Sequence, residues 1–322
     1  MFRFVARRLV NYVILVFVAS SLAYILASAT LDPLSYYVHG QAHINFAAIH
    51  ASLRSYNIDP QVSIWTRYVH WLDRIFLHGD FGRSFPNGDT VTSEMGRRIG
   101  VSLRLLIVGS VLSVVIGVLL GVWTALRQYR PSDHVITVIS FVLLSTPVFL
   151  LATLVKFGDI KYKFGLPTSN EYATGQAGDF VGRVQHLVLP TVVIVFGAAG
   201  AAFFARYQRS AMLDVLGSDF IRTAQAKGLS RRKAFYKHGL RTALIPMATF
   251  FAFQFGTLIV GAIVTENIFN WNGMGAWSVQ TINNNDVNGI AAITAFTAVM
   301  ILISGVLSDI AYAILDPRVR VS

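Results

Sequence analysis

Residues 105–126 read LLIVGSVLSVVIGVLLGVWTAL, 22 positions without an Asp, Glu, Lys or Arg. A helix needs roughly 20 apolar residues to cross the ~30 Å hydrocarbon core of a bilayer, so this run is long enough to cross. The pattern repeats on both sides of it, over Leu9–Leu31, Val135–Val155, Leu187–Ala205, Thr242–Thr265 and Val287–Ser308. The whole chain of 322 residues is 54% hydrophobic and only 13% charged, where soluble domains carry about 25% charged residues. A cytosolic globular enzyme is excluded. Cysteine is absent, which removes disulfide frameworks, thiolate metal sites and cysteine nucleophiles. The first run follows Arg3, Arg7 and Arg8, and Ala27-Ser28-Ala29 resembles a signal cleavage site. The run is nevertheless longer than the ~7–15 residues of a signal core, so an uncleaved anchor is expected. The expected fold is an all-α membrane protein with six transmembrane helices.

Charge sets the expected orientation. With the N-terminus in the cytoplasm, the segments on that side hold 16 basic residues against five acidic ones, and the other side holds eleven of each. The net charge of +11 then lies wholly on one side, as the positive-inside rule requires. Both termini are expected to be cytoplasmic. The basic balance reports orientation in a lipid bilayer, and a nucleic-acid partner is disfavoured.

Three parts are expected: an N-terminal segment and first span over 1–31, an external cap over 32–100, and a five-helix core over 101–322. In the cap, Ile64, Tyr68, Leu72 and Ile75/Phe76 follow helical spacing, with Trp65, Val69 and Trp71 alongside. Phe46–Tyr56 is a weaker helix candidate. Asp80-Phe81-Gly82 and Phe85-Pro86-Asn87-Gly88 read as turns. The aromatic residues either pack the cap onto the span ends or offer a docking surface to a soluble partner.

The segment 206–241 carries more information. Ser210–Leu216 can continue the fourth span, and Gly217-Ser218-Asp219 breaks it and supplies N-cap side chains. A short helix over Phe220–Lys227 is expected to end at Gly228 in the left-handed position. Ser230 can cap a further helix through Arg231, Arg232, Lys233 and Lys237 to Pro246. Thr223, Ala224 and Ala226 are small enough to let another protein approach closely. The plain alternative is a basic loop that serves only orientation. Within the spans, Pro147, Pro190 and Pro246 are expected to be tolerated. Gly117 with Gly121, and Gly197 with Ala201, are spaced for close helix crossing.

No carboxylate or cation lies inside the uncharged runs, although ion-coupled carriers and proton pumps usually need one. No H-E-x-x-H spacing and no G-x-x-x-x-G-K-[ST] occurs. The chain is therefore expected to be no enzyme, with no cofactor or metal of its own. ATP, if it drives the chain, binds elsewhere.

Arg222-Thr223-Ala224-Gln225-Ala226-Lys227-Gly228-Leu229, with His238-Gly239-Leu240-Arg241-Thr242-Ala243-Leu244-Ile245-Pro246 after it, resembles the loop of binding-protein-dependent ABC importer permeases in its peptide-branch form. The likeness extends to Arg7-Arg8-Leu9, Arg67-Tyr68, Trp71-Leu72 and Gly79-Asp80-Phe81-Gly82-Arg83-Ser84. It continues through Ser145-Thr146-Pro147-Val148-Phe149, Glu266, Ile268-Phe269, Trp271 and Gly273-Met274-Gly275, and ends at Asp309, Tyr312 and Leu315-Asp316-Pro317-Arg318-Val319-Arg320. The chain departs from the family in lacking a Gly before Asp32-Pro33 and in carrying Lys156, Asp159, Lys161 and Lys163.

The resemblance implies a B-type permease of the type I ABC importer fold, in the bacterial cytoplasmic (inner) membrane. It implies a second homologous permease subunit, ATP-binding cassette ATPase subunits holding ATP and Mg, and an external substrate-binding protein. Asp219, Phe220, Arg222, Thr223, Ala224, Lys227 and Gly228 then belong to a coupling helix seated on an ATPase. Peptides are the expected cargo; nickel, glutathione and sugar oligomers share the pattern. A non-transporting membrane scaffold or sensor is the alternative from another class. Gly239, in the flanking basic helix, is expected to accept Ala more readily than Gly228 does.

Overall fold

The structure, a computed structural model, describes residues 2–38, 45–85, 88–173, 175, 178–197 and 200–315. Its helices are α1 (Phe2–Thr30), α2 (Leu34–Val38), α3 (Phe46–Ser55), α4 (Ile64–His78), α5 (Val91–Leu126), α6 (Pro131–Ser145), α7 (Val148–Tyr162) and α8 (Phe180–Phe196). They continue as α9 (Ala201–Leu216), α10 (Asp219–Ala226), α11 (Arg231–Ala234), a π-helical turn over Phe235–Gly239, α12 (Leu240–Ile268), α13 (Met274–Asn283) and α14 (Val287–Leu315). Among the described residues the only extended pairing is an isolated bridge between Arg83 and Thr90. The all-α expectation holds.

Three of these helices, α1, α5 and α14, are each long and apolar enough to cross a membrane, and two bent pairs bring the number to five. The bends correct the sequence reading. The expected span Val135–Val155 is not one rod: α6 and α7 meet at 107°. Pro147 forces the preceding residue out of the helical region, and Thr146 is extended at ψ 120°. The expected span Leu187–Ala205 is bent by 42° where α8 gives way to α9. Pro190 is accommodated inside α8, which ends at Gly197. Gly197 thus caps the end of α8 and Ala201 opens α9, so the two do not share one helix face. The helices also outrun the uncharged stretches, so that Lys156 and Asp159 fall within α7.

The chain forms two compact units. One holds 1–102 with 272–302, the other 103–271 with 303–322.

The first unit has an aromatic core. Tyr24 of α1 stacks on Trp71 of α4 with ring centroids 4.7 Å apart, and Ile49, Leu53, Ile58, Tyr68, Phe85, Val287 and Ala291 close around them. Tyr68 donates its hydroxyl to Ser21 Oγ at 2.9 Å, and the buried Arg67 reaches the Ser28 carbonyl at 3.4 Å. The aromatic residues of α4 therefore divide. Tyr68 and Trp71 pack, while Trp65 and Phe76 are about 70% exposed.

The second unit is built on close helix crossing. A Cβ on Gly117 would lie 2.7 Å from the Ala201 carbonyl, and one on Gly121 would lie 2.6 Å from that of Ala205. The Gly117–Gly121 pair is thus where α5 meets α9, as its spacing suggests. Arg209 of α9 makes a two-pronged bond to Asp133 of α6, both contacts at 2.8 Å. Arg241 donates to the carbonyls of Ile314 and Leu315, both at 2.8 Å, satisfying the last turn of α14 that has no intrahelical donor.

Candidate coupling and clamp sites

The segment between α9 and α12 has the expected order of elements with three differences in detail. Helix α10 begins and ends one residue earlier than expected. Ser218 occupies its N-cap position without capping it; the hydroxyl donates instead to the Val215 carbonyl at 2.6 Å. The basic helix after Ser230 is interrupted by the π turn. Ser230 itself does cap, accepting from Lys233 N at 3.4 Å.

Helix α10 ends in a double closure. Gly228 N donates to Gln225 O at 2.9 Å, and Leu229 N donates to Ala224 O at 3.2 Å. This is the Schellman arrangement, whose penultimate position is left-handed. Gly228 has φ +91°, and nothing lies within 4 Å of where its Cβ would be. Strain alone restricts that position.

One face of α10 is buried. Ile221 and Ala224 pack with Met212, Val215, Ala234, Phe235 and Ala243. Ala224 therefore seats the helix on its own chain and leaves the set of residues available to a partner. The other face is open: Asp219, Phe220, Arg222, Thr223, Ala226, Lys227 and Gly228 are exposed. Phe220 is 44% exposed, a large apolar side chain on an otherwise polar surface. Arg222 and Asp219 pair loosely at 3.6 Å, both largely exposed, so neither is committed.

Gly239 differs from the expectation. A Cβ there would come within 2.9 Å of both Phe235 and Val215, because the π turn brings these side chains onto it. An added methyl must push its neighbours aside.

A second constellation, in the first unit, was not expected from the sequence. Asp286 is fully buried. Its carboxylate accepts from Ser84 Oγ at 2.5 Å and from Gly289 N at 3.0 Å. Asn288 donates to the carbonyls of Tyr56 and Arg83, both at 3.0 Å. Gly82, at φ +96°, lies so close that a Cβ would meet Asn288 Nδ2 at 3.0 Å. The stretch Gly79–Ser84 thus turns beneath α4 and is clamped to the residues opening α14. Burial pushes the Asp286 carboxyl up to about 6 against the hydrogen bonds that favour its charge. Asp59, also buried, goes the other way. Burial alone would raise it, but bonds from Gln61 N, His50 and Arg54 together hold it below its ordinary value.

In the second unit, the turn after α12 is tied to the loop after α7. Lys156 Nζ donates to the Ile268 carbonyl at 2.6 Å, and Asn170 N to that of Phe269 at 2.8 Å. The lysine that departs from the family pattern thus has a structural role. A cavity of about 730 Å³ between α6 and α9 is lined by Phe141, Phe203, Arg206, Tyr207 and Arg209 among others. Among the described residues no cluster of acidic or histidine side chains could hold a metal. Pro86, Asn87 and the ending Asp316–Arg320 lie outside the described residues.

The chain is thus a helical membrane protein with an exposed short helix between two long ones. The family model for binding-protein-dependent transport system inner membrane components matches residues 117–321, and the chain belongs to that family. Across the full length of both chains it is 48% identical to an oligopeptide transport system permease protein, OppB, of Mycobacterium tuberculosis. It is 36% identical to the oligopeptide permease AppB of Bacillus subtilis, over 81% of each chain. It is 32% identical to the dipeptide permease DppB of Escherichia coli, over 80% of this chain and 81% of the other.

Proposed function

We propose that this chain is the permease subunit of an ATP-driven peptide importer, forming half of the translocation pathway. In this reading it crosses the cytoplasmic membrane six times, α12 supplying the crossing beyond the five above, with both termini in the cytoplasm. Residues 32–100 form an external cap and 101–322 the permease core. A second permease, ATP-binding cassette ATPases carrying ATP and Mg, and an external binding protein complete the assembly. The peptide assignment draws on the oligopeptide and dipeptide permeases that the chain resembles.

The observation that carries the coupling role is the two-sided α10. Ile221 and Ala224 hold it to this chain, while Asp219, Phe220, Arg222, Thr223 and Lys227 stand out. A partner surface that grips Phe220 buries apolar area worth roughly 25 cal/mol per Å² and moves a helix that is anchored from behind. The chain lacks native cysteine, so a single cysteine at Phe220 can be cross-linked directly. It should capture an ATPase subunit, and ATP should change the yield. The reconstituted assembly should accumulate labelled oligopeptides in preference to nickel or glutathione. Cross-linking to no ATPase would remove the coupling role, and uptake of another solute alone would remove the peptide assignment.

A further inference from the structure

The second unit also carries a basic notch that the coupling role does not use. At the end of α5 a cavity of about 710 Å³ is lined by Leu119, Trp123, Arg127, Arg130 and Tyr236 among others. The Arg127 guanidinium lies 4.8 Å over the Trp123 ring, an arrangement that fixes its plane and leaves its N–H edge free to donate. Among the described residues neither Arg127 nor Arg130 has a carboxylate within ion-pair distance. The acid nearest in sequence, Asp133, is taken by Arg209 and by Tyr129 N. Two cations thus share one cavity without a counter-charge.

Leading to this notch is an exposed apolar stripe. Ile107, Val111, Val115, Leu119 and Trp123 are 40–64% exposed, and they follow one another every fourth residue along α5, winding around it by about 40° at each step. The next step in the series is Arg127. At about 1.5 Å per residue the stripe runs roughly 24 Å, most of the ~30 Å hydrocarbon thickness. Its end therefore falls where headgroups begin, which is also the depth that Trp prefers. A docked protein face would need an apolar ridge ending in carboxylates at this depth. A lipid of the adjoining leaflet supplies both parts in one molecule.

We propose that the Arg127–Arg130 notch binds the phosphate headgroup of an anionic phospholipid, whose acyl chain lies along Leu119 and Val115. The site requires only that the chain lie in a bilayer, so it stands or falls separately from peptide transport. The arginine edges donate to phosphate oxygens, and Tyr236 closes the far wall. Basic pockets of this kind at the membrane surface recognise anionic lipids.

The test reads Trp123 fluorescence in the assembled transporter, as the difference between the protein and its Trp123→Phe variant. The assembly is placed in phosphatidylcholine vesicles in which brominated phosphatidylglycerol or brominated phosphatidylcholine is titrated over the same range of mole fractions. Quenching by the anionic lipid should require at least about fivefold less bromolipid, the effect expected for one basic contact. Arg127→Gln/Arg130→Gln should abolish the preference, and Arg127→Lys/Arg130→Lys should restore part of it. Soluble glycerol phosphate should not displace the lipid. Equal quenching by the two lipids would overturn the proposal, as would displacement by glycerol phosphate. Absence of quenching by either lipid would mean that protein covers the stripe, and would overturn it as well.

Discussion

Around Asp286, segments 202 positions apart in the chain meet through directed hydrogen bonds between buried polar groups. Beneath α10 the contact is made by Ile221, Ala224, Met212, Val215 and Phe235, with no polar group among them. Directed bonds weaken steeply once the donor angle or distance is lost, so the Asp286 clamp specifies one arrangement. Apolar contact is non-directional, so the α10 seat holds a helix in place without fixing its angle to the same degree. Under the proposed function, the clamp belongs to a part that must keep its shape and the seat to one that would receive a push.

The comparison is broken most severely at the clamp. Asp286→Ala leaves Ser84 Oγ and Gly289 N without their acceptor, and the first unit should lose about 2–4 kcal/mol, read as a lower melting temperature of the purified assembly. Asp286→Asn keeps an acceptor for Gly289 N and has no charge to bury, so it should match the native protein below about pH 4 and be the more stable of the two at pH 7. The pair also predicts a pH dependence. The folded state binds the Asp286 proton more tightly than the unfolded chain, whose value is 3.8. Its stabilising contribution is complete below that value and is lost as pH rises through about 6. The loss should reach about 3 kcal/mol and be absent from Asp286→Asn. Equal pH profiles for the two proteins would remove the ionised carboxylate from the clamp.

A smaller effect is expected at the seat, and of a different kind. Gly228→Val puts a β-branched residue at φ +91°, at a cost of roughly 1–2 kcal/mol or more. No neighbouring atom opposes the side chain. Assembly should remain near normal while peptide uptake per assembled protein falls at least about tenfold, equivalent to about 1.4 kcal/mol of coupling. Gly228→Ala should be milder. Full uptake by Gly228→Val would show that the end of α10 need not be held.

The smallest effect sharpens the comparison. Gly239→Ala overfills the space between Phe235 and Val215, and such overpacking costs about 1–3 kcal/mol; as a single methyl beside one mobile ring, it should fall at the low end. This reverses the order expected from sequence, so that Gly239→Ala lowers the melting temperature more than Gly228→Ala does. A melting temperature unchanged by Gly239→Ala would mean that the π turn yields freely.

Much of this was legible in the sequence because the features have local causes. Helix α10 could be bounded to within one residue because Gly217-Ser218 and Gly228 punctuate it. The Gly117–Gly121 crossing could be read from spacing alone. The bends could not, since an apolar run reports contact with lipid and not the direction of its axis. Pro147 was the available signal: its restriction of Thr146 outweighed the continuity of the apolar pattern. The inward position of Ala224 could not be read, because a small residue suits a partner contact and a buried seat equally well. Asp286 left only a weak trace, the polar run Asn283-Asn284-Asn285-Asp286 directly before α14. Its partners are set by tertiary folding, and no local pattern encodes a bond to position 84.

The π turn at Phe235–Gly239 has a geometric consequence for how the corner can work. Such a turn bonds each residue to one five along, so it holds an extra residue relative to an α turn. Absorbing that residue into regular α-helix would screw α12 about 1.5 Å along its axis and through about 100°. The chain thus keeps slack of one residue in the linkage between α10 and the longest of the helices beside it, as a worm gear keeps backlash.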